Sequence, residues 1–204
     1  IAGEIFTKLG QTDYAAEIAQ IRDAKPAMVF HFLPGGMGIN FLKQYSQAGL
    51  SESIPMVVSA ASMDKKIIAG VQDIAVGIHS TSHWNHDMDN AANKKFLAGF
   101  AKTYDREPTV YASQGYDTAK LIASALKATG GKVLDDKDAF RAALKAAKFD
   151  SVRGEFRFNN NQHPINNWVG RVVEKQADGT LVNKMLRVVS PNHEDAYAKE
   201  CALK

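Results

Sequence analysis

One stretch, Ala27–Gly38 (AMVFHFLPGGMG), limits the possible folds more than any other: an apolar run breaks into a proline and three glycines, and a helical pattern begins at once. Ala27–Leu33 is too short for a buried helix and too continuous for a half-exposed strand, so its Val and Phe content predicts a central strand of a parallel sheet, covered on both faces. Pro34, Gly35, Gly36 and Gly38 permit a sharp turn. Ile39, Leu42 and Tyr45 then recur at helical spacing beside polar Asn40, Lys43 and Gln44. Strand, tight loop and helix form the building unit of open α/β sheets. Ligands of such sheets bind at the carboxyl ends of strands, where these loops present N–H groups at a helix N-terminus.

The neighbouring segments repeat the unit. Ile1–Leu9 alternates enough to predict a strand, and Asp13 is a candidate N-cap for a helix whose Tyr14, Ile18 and Ile21 share a face, ended by Lys25-Pro26. The helix from Gly36 to Ala48 is closed by Gly49, Ile54–Val58 reads as a strand ending in Ser59-Ala60-Ala61-Ser62, Asp64–Ala69 as a short helix stopped by Gly70, and Ile74–Thr81 as a third strand. Strands and helices alternating in this way predict βαβ units on a parallel sheet. Ser82–Asn90 (SHWNHDMDN) is polar and reads as a crossing between lobes. Beyond it come helices instead: Ala91–Tyr104 with Phe96 and Phe100, Tyr111–Ala128 with Tyr116, Leu121 and Leu126 as the expected buried set, and Lys137–Ala147 with Phe140 and Leu144. Gly154–Phe158 alternates as a strand, Asn159–Pro164 reads as a loop, and Trp168–Lys175 and Lys184–Val189 as strands joined by the turn Ala177-Asp178-Gly179. Pro191–Lys204 is a polar tail.

Several function classes are disfavoured by composition and by missing motifs. The net charge of +3 arises from 25 Lys and Arg against 22 Asp and Glu scattered along 204 residues, with no run of five basic residues, so nucleic-acid binding is not indicated. No apolar run approaches the roughly 18 residues of a membrane span. Ile1-Ala2-Gly3-Glu4 carries no charged region followed by an apolar one, and the expectation is that a signal has been removed and that sequence precedes this start. A single cysteine, Cys201, leaves a free thiol or a bond to a cysteine elsewhere, and excludes an internal disulfide or a zinc cysteine cluster. Pro34-Gly35-Gly36-Met37-Gly38 is neither G-x-G-x-x-G nor a Gly-Lys-Ser/Thr loop, so a tight turn accounts for it better than a nucleotide does. His79, His83 and His86 lie near Asp87 and Asp89 but form no i, i+4 pair on a helix, and they read as surface histidines with no metal. No Gly-x-Ser-x-Gly elbow and no other catalytic constellation is present, and no cofactor is implied.

The order and spacing of several short motifs resemble one family. They are G-x-T-D-Y in Gly10–Tyr14, the Pro26 entry to the core strand, Gln47-Ala48-Gly49-Leu50 ahead of Ile54-Pro55, Arg106-Glu107-Pro108 before Gln114-Gly115-Tyr116-Asp117, and Val152–Asn159 (VRGEFRFN). Together they resemble the type I periplasmic substrate-binding proteins of branched-chain-amino-acid-type ABC transporters, the leucine-binding-protein-like family. The resemblance implies an α/β fold of two doubly wound parallel-sheet lobes joined by a hinge, with this chain as the carboxy-terminal portion and the first lobe incomplete. On that reading residues 1–82 with 166–204 belong to the second lobe and residues 83–165 to the sequence-late part of the first. It also implies a periplasmic solute-binding component that closes its lobes on a small molecule and hands it to a membrane permease, without bond chemistry, and a missing amino-terminal portion as partner. A ligand-sensing receptor domain of the same fold and, against the missing fingerprint, a nucleotide-using enzyme are the alternatives.

The expected site lies between lobes, lined by Phe32, Leu33, Pro34 and Gly35 and by Ser59, Ala60, Ala61 and Ser62 at strand ends, with Tyr111, Gln114 and Trp84 added from the other lobe. In amino-acid binders of the family an acidic residue in the second of these loops takes the ligand's ammonium group. Here the matching position is Ala60, and the nearest carboxylate, Asp64, reads as a first-turn charge of the next helix. An unpaired ammonium in a closed cleft is costly to desolvate, so the expected ligand lacks one. Aromatic lining from Phe32 and Tyr111, small alanines and serine hydroxyls suit an aromatic carboxylate such as a benzoate; a short-chain amide or aliphatic acid, and a branched-chain or other amino acid, are the alternatives.

Overall fold

Three short parallel strands set the frame of the molecule, and the computed structural model describes it over residues 1–202. The chain divides into two compact units, Ile1–Ser82 with Gly170–Arg187, and His83–Val169 with Val188 onward. The first boundary falls where SHWNHDMDN begins. Residues 166–169 and those from Val188 group with the second unit, where the sequence reading put all of 166–204 with the first. Leu203 and Lys204 of that expected tail lie outside the described residues.

In the first unit α1 (Ala15–Ala24), β1 (Val29–His31), α2 (Gly36–Gln47), β2 (Met56–Ser59), α3 (Lys65–Val71) and β3 (His79–Ser82) alternate. β1, β2 and β3 are parallel, with Val29 opposite Met56 and Val57 opposite His79. The first-unit part of β5 (Pro164–Lys175) lies next in the sheet, and β6 (Leu181–His193) pairs with β5. The core joins both helical faces to the sheet: Tyr14 and Ile18 of α1, Phe41, Leu42 and Tyr45 of α2, Val58 of β2, Ile67 and Val71 of α3, and Val173. Tyr14 and Phe41 meet edge to face at 5.4 Å, and the buried Tyr45 hydroxyl donates to the Ile54 carbonyl at 3.0 Å, so its polar end is satisfied.

Several expected elements differ. β1 has three residues, not the seven of Ala27–Leu33, and it is not covered on both faces: Val29 and His31 turn inward while Met28, Phe30 and Phe32 are exposed. Strand alternation explains this, since only one side of β1 meets α1 and α2. Residues 1–8 form no strand, and Ile5, Phe6 and Leu9 are exposed. α1 begins after Tyr14; Asp13 still accepts a hydrogen bond from the Ala15 N–H at 3.0 Å. α3 runs past Gly70 to Val71, and Gln72–Ala75 is a 3₁₀ turn, so the third strand starts at His79 instead of Ile74. Asp64 is the N-cap of α3, accepting from the Lys66 and Ile67 N–H groups, not a residue inside it.

The second unit carries α4 (Ala91–Tyr104), α5 (Val110–Ala128), α6 (Lys137–Lys145), β4 (Arg157–Phe158) and the starts and ends of the two long strands. β4 pairs antiparallel with Pro164 and Ile165 of β5, which absorb the end of the expected 159–164 loop. Its core is small: Trp84, Phe96, Val110 and Val152, with Tyr116 and Phe100 packed against them. α5 buries Val110, Ser113, Asp117 and Ala125; Tyr116, Leu121 and Leu126 are half-buried, and α6 buries none of its residues, Phe140 and Leu144 included. The tail continues β6 to His193 and ends in a 3₁₀ turn at Ala198–Glu200, tied back by the Asn160 amide donating to the Ala198 carbonyl at 2.7 Å. No helix among the described residues is long and apolar enough to cross a membrane.

Candidate functional site

The parallel pairing of β1 with β2 decides which loops become neighbours. His31 is opposite Val58, so the two strands end level, and the segments Phe32–Gly35 and Ser59–Ser62 leave the same edge of the sheet. They are joined by a side chain: the Leu33 N–H donates to Ser62 Oγ at 2.9 Å, and Ser62 Oγ lies 3.1 Å from Ser59 Oγ. Ser62 is fully buried and committed to this bridge, whereas Ser59, Ala60 and Ala61 are half-buried and Phe32, Pro34 and Gly35 are exposed. Leu33 is buried and contributes backbone more than side chain. The eight residues expected here are therefore brought together within the first unit, with Ser59 the hydroxyl that has surface to offer.

α2 opens directly from this edge. Gly35 sits at φ 62°, in the left-handed region that favours glycine, and no side chain caps the helix. At Gly38 a Cβ would come within 2.2 Å of the Leu33 carbonyl oxygen, so only glycine lets the helix start this close to the strand end. The result is a helix N-terminus whose N–H donors and dipole suit an anion. The carboxylate that follows the second loop in sequence, Asp64, is buried and its Oδ1 accepts from the Lys66 and Ile67 N–H groups at 2.9 and 3.3 Å. Below the edge, His31 is buried against Phe41, ring centroids 5.2 Å apart, and neither ring nitrogen has a hydrogen-bond partner. Burial pushes its pKa down to about 4.

In the second unit Tyr111 and Gln114 sit one turn apart at the start of α5, with Tyr111 54% exposed. Gln114 Nε2 lies 3.3 Å from His83 Nε2. Trp84 goes elsewhere: it is buried in the core of this unit, edge to face with Phe96, and its indole N–H donates to Asn93 Oδ1 at 2.8 Å. His83, read from the sequence only as a surface histidine, directly follows β3 and is half-buried. Cys201 is a half-buried free thiol, and among the described residues no group of three His, Cys, Asp or Glu is arranged to hold a metal ion.

The comparisons with known proteins bear on this arrangement. The profile of a family described as periplasmic binding protein matches residues 1–179. Among solved structures, the chain is similar to an ABC-transporter solute-binding protein of R. palustris in complex with benzoate, at 31% identity and a TM-score of 0.86, covering 97% of this chain and 52% of that one. It is also similar to a solute-binding protein of Rhodopseudomonas palustris BisB5 in complex with 3,4-dihydroxybenzoic acid, at 33% identity and a TM-score of 0.77, covering 89% of this chain and 50% of that one. A leucine-binding protein of Thermotoga maritima, at 18% identity, a TM-score of 0.78, and covering 92% of this chain and 51% of that one, shares the fold. No curated protein matches. The chain spans about half the length of the solved structures it matches.

Proposed function

The chain belongs to the periplasmic binding protein family, in its type I, leucine-binding-like form, and from that premise we propose that it is the carboxy-terminal half of an ABC importer's solute-binding protein whose solute is an aromatic carboxylate. The observation that carries the reading is the acid-free edge of the first unit. By the family resemblance Ala60 stands where amino-acid binders carry a carboxylate, and the carboxylate next in sequence after this loop, Asp64, is spent on capping α3. An ammonium group there would lose its hydration without a paired charge. A carboxylate instead meets the uncapped start of α2 and the Ser59 hydroxyl. The benzoate and dihydroxybenzoate complexes of the similar proteins support the same class.

In the complete protein, residues 1–82 with their returning strands would act as the second lobe and the helices after His83 as the late part of the first, and the first unit would meet the solute through Ser59, Ala60, Ala61 and Phe32. Delivery to a membrane permease then needs only closure and release, with no bond made or broken. The periplasm is the compartment in which such a protein works. The test is to purify the complete protein containing this sequence, release its bound solute by denaturation and identify it by mass spectrometry. An aromatic carboxylate is expected; recovery of leucine or another α-amino acid would overturn the reading.

A further inference from the structure

A single buried hydroxyl joins the two strand-end loops of the first unit, and its hydrogen has one place to go. The 3₁₀ turn Ala60–Ser62 follows β2 directly, and in such a turn side chains three apart eclipse, which brings Ser62 back over Ser59. Ser62 is 0% exposed, so solvent does not reach it. Its Oγ accepts from the Leu33 N–H at 2.9 Å, lies 3.1 Å from Ser59 Oγ, and has no further partner among the described residues. A hydroxyl carries one proton and two lone pairs, and the Leu33 amide can only donate, so it occupies one lone pair. Taken alone, the serine pair can be bonded in either direction. Were Ser59 the donor, both lone pairs of Ser62 would be filled and its proton would be buried without an acceptor, a cost that native interiors avoid. Ser62 is therefore the donor and Ser59 the acceptor.

That direction decides what Ser59 can offer. Ser59 is half-buried at the end of β2, and with one lone pair taken by Ser62 it keeps its own proton and a single lone pair. We propose that Ser62 is a positioning residue for solute recognition: by donating to Ser59 it leaves the Ser59 proton for a solute acceptor, such as a carboxylate oxygen. The inference rests on the aromatic-carboxylate reading and gives that reading a proton donor within the first unit. An ionised carboxylate only accepts, and it takes the Ser59 proton; an ammonium group only donates, and once water is excluded it would leave that proton stranded. The donors run one way, from the Leu33 N–H through Ser62 to Ser59, and each link polarises the next. Ala60 and Ala61, between the two serines, bring no side-chain acceptor that could take either proton. Preference for an anion thus comes from the direction of a hydrogen-bond chain as well as from the residue type at Ala60.

The experiment uses the complete protein, unaltered and as Ser59→Ala, Ser62→Ala and the double variant, titrated calorimetrically with benzoate. Ser59→Ala is expected to weaken benzoate by about tenfold or more, the worth of one hydrogen bond to a charged group. Ser62→Ala should weaken it by about threefold to tenfold when Ser59 is present, but by less than about twofold in the Ser59→Ala background, because Ser62 acts through Ser59. Unchanged benzoate affinity in Ser62→Ala, or an equal loss in both backgrounds, would overturn the proposal, the second result marking Ser62 as a loop clamp with no part in recognition. Should Ser62→Ala fail to fold, neutron diffraction from the unaltered protein with benzoate locates the hydrogens themselves. A hydrogen on Ser62 Oγ directed at Ser59 is expected; a hydrogen on Ser59 Oγ directed at Ser62 would overturn the proposal. Failure of the unaltered protein to bind benzoate, which shows before any variant is made, would instead overturn the aromatic-carboxylate reading, and this inference with it.

Discussion

The two units are stabilised by different means. In the first, one apolar cluster runs from Tyr14 through Phe41, Leu42 and Tyr45 to Val58, Ile67 and Val173, joining helices to a parallel sheet. In the second, the apolar cluster has, among the described residues, Trp84, Phe96, Val110 and Val152 as its buried members, and buried polar groups complete the work. Asp117, 1% exposed, accepts from Ser151 Oγ at 2.6 Å, the Val152 N–H at 3.1 Å and Arg153 Nε at 3.0 Å, tethering α5 to the segment that leads into β4. Asn93, fully buried, accepts from the Trp84 indole and donates to the His86 and Met88 carbonyls, closing the crossing onto α4. The contrast teaches that a unit with a small apolar cluster can still be held in place, provided its buried polar groups are satisfied. It also makes the second unit the more brittle, since a satisfied network loses far more than one bond when a member is removed.

That contrast is most easily broken at Asp117. Asp117→Ala leaves Arg153, whose side chain is 12% exposed, without its carboxylate partner and with the Asn166 amide oxygen, 3.3 Å away, as its remaining acceptor among the described residues, and it strips partners from Ser151 and the Val152 N–H. The expected cost is on the order of 3–5 kcal/mol, as for other buried pairs cut on one side. Hydrogen exchange followed by NMR should show α5 losing protection while α2 keeps it; equal loss in both units would show that they do not differ in the way described.

A smaller effect sharpens the account of the first unit. His31 is buried with no hydrogen-bond partner, and its pKa is pushed from 6.5 to about 4 by burial. The folded pKa lies below the unfolded one, so the unfolded chain takes up the proton first as the pH falls. The stability linked to neutral His31 is complete above about pH 6.5 and is lost as the pH drops through about 4, a total of about 3 kcal/mol. Urea unfolding at pH 7 and pH 4 measures it, and His31→Phe, which has no proton to bind, should remove most of the difference. A pH dependence unchanged in His31→Phe would refute this assignment.

The smallest effect is at a helix end in the second unit. Thr109 caps α5, its side chain accepting from the Ala112 N–H, so Thr109→Ala should cost about 1 kcal/mol, read from chemical denaturation. A loss near that of Asp117→Ala would show that the helix start, not the Asp117 tether, carries this unit.

These features differ in how far the sequence revealed them. Helix periodicity over several turns was legible, and α4 begins and ends at Ala91 and Tyr104 as expected from Phe96, Phe100 and the flanking polar residues. The glycines of the first loop were legible too, because Gly35 and Gly38 answer local demands of backbone angle and close approach. Strand limits were not. Ile74–Thr81 has strand composition, yet Gln72–Ala75 winds into a 3₁₀ turn that a short apolar run cannot reveal. Met28, Phe30 and Phe32 read as buried because they are apolar, but coverage depends on what lies opposite, a tertiary property. At the candidate site the clustering of the strand-end loops followed from parallel pairing, whereas the Leu33–Ser62 bridge and the contact of His83 with Gln114 join residues 29 and 31 apart in sequence and have no local signature.

The central claim, that the solute is an aromatic carboxylate without an ammonium group, is tested most directly by calorimetric titration of the complete protein with benzoate and with leucine under identical conditions. The account predicts saturable benzoate binding in the micromolar range, about −8 kcal/mol, with no heat of binding from leucine. Micromolar binding of leucine with no response to benzoate would contradict it.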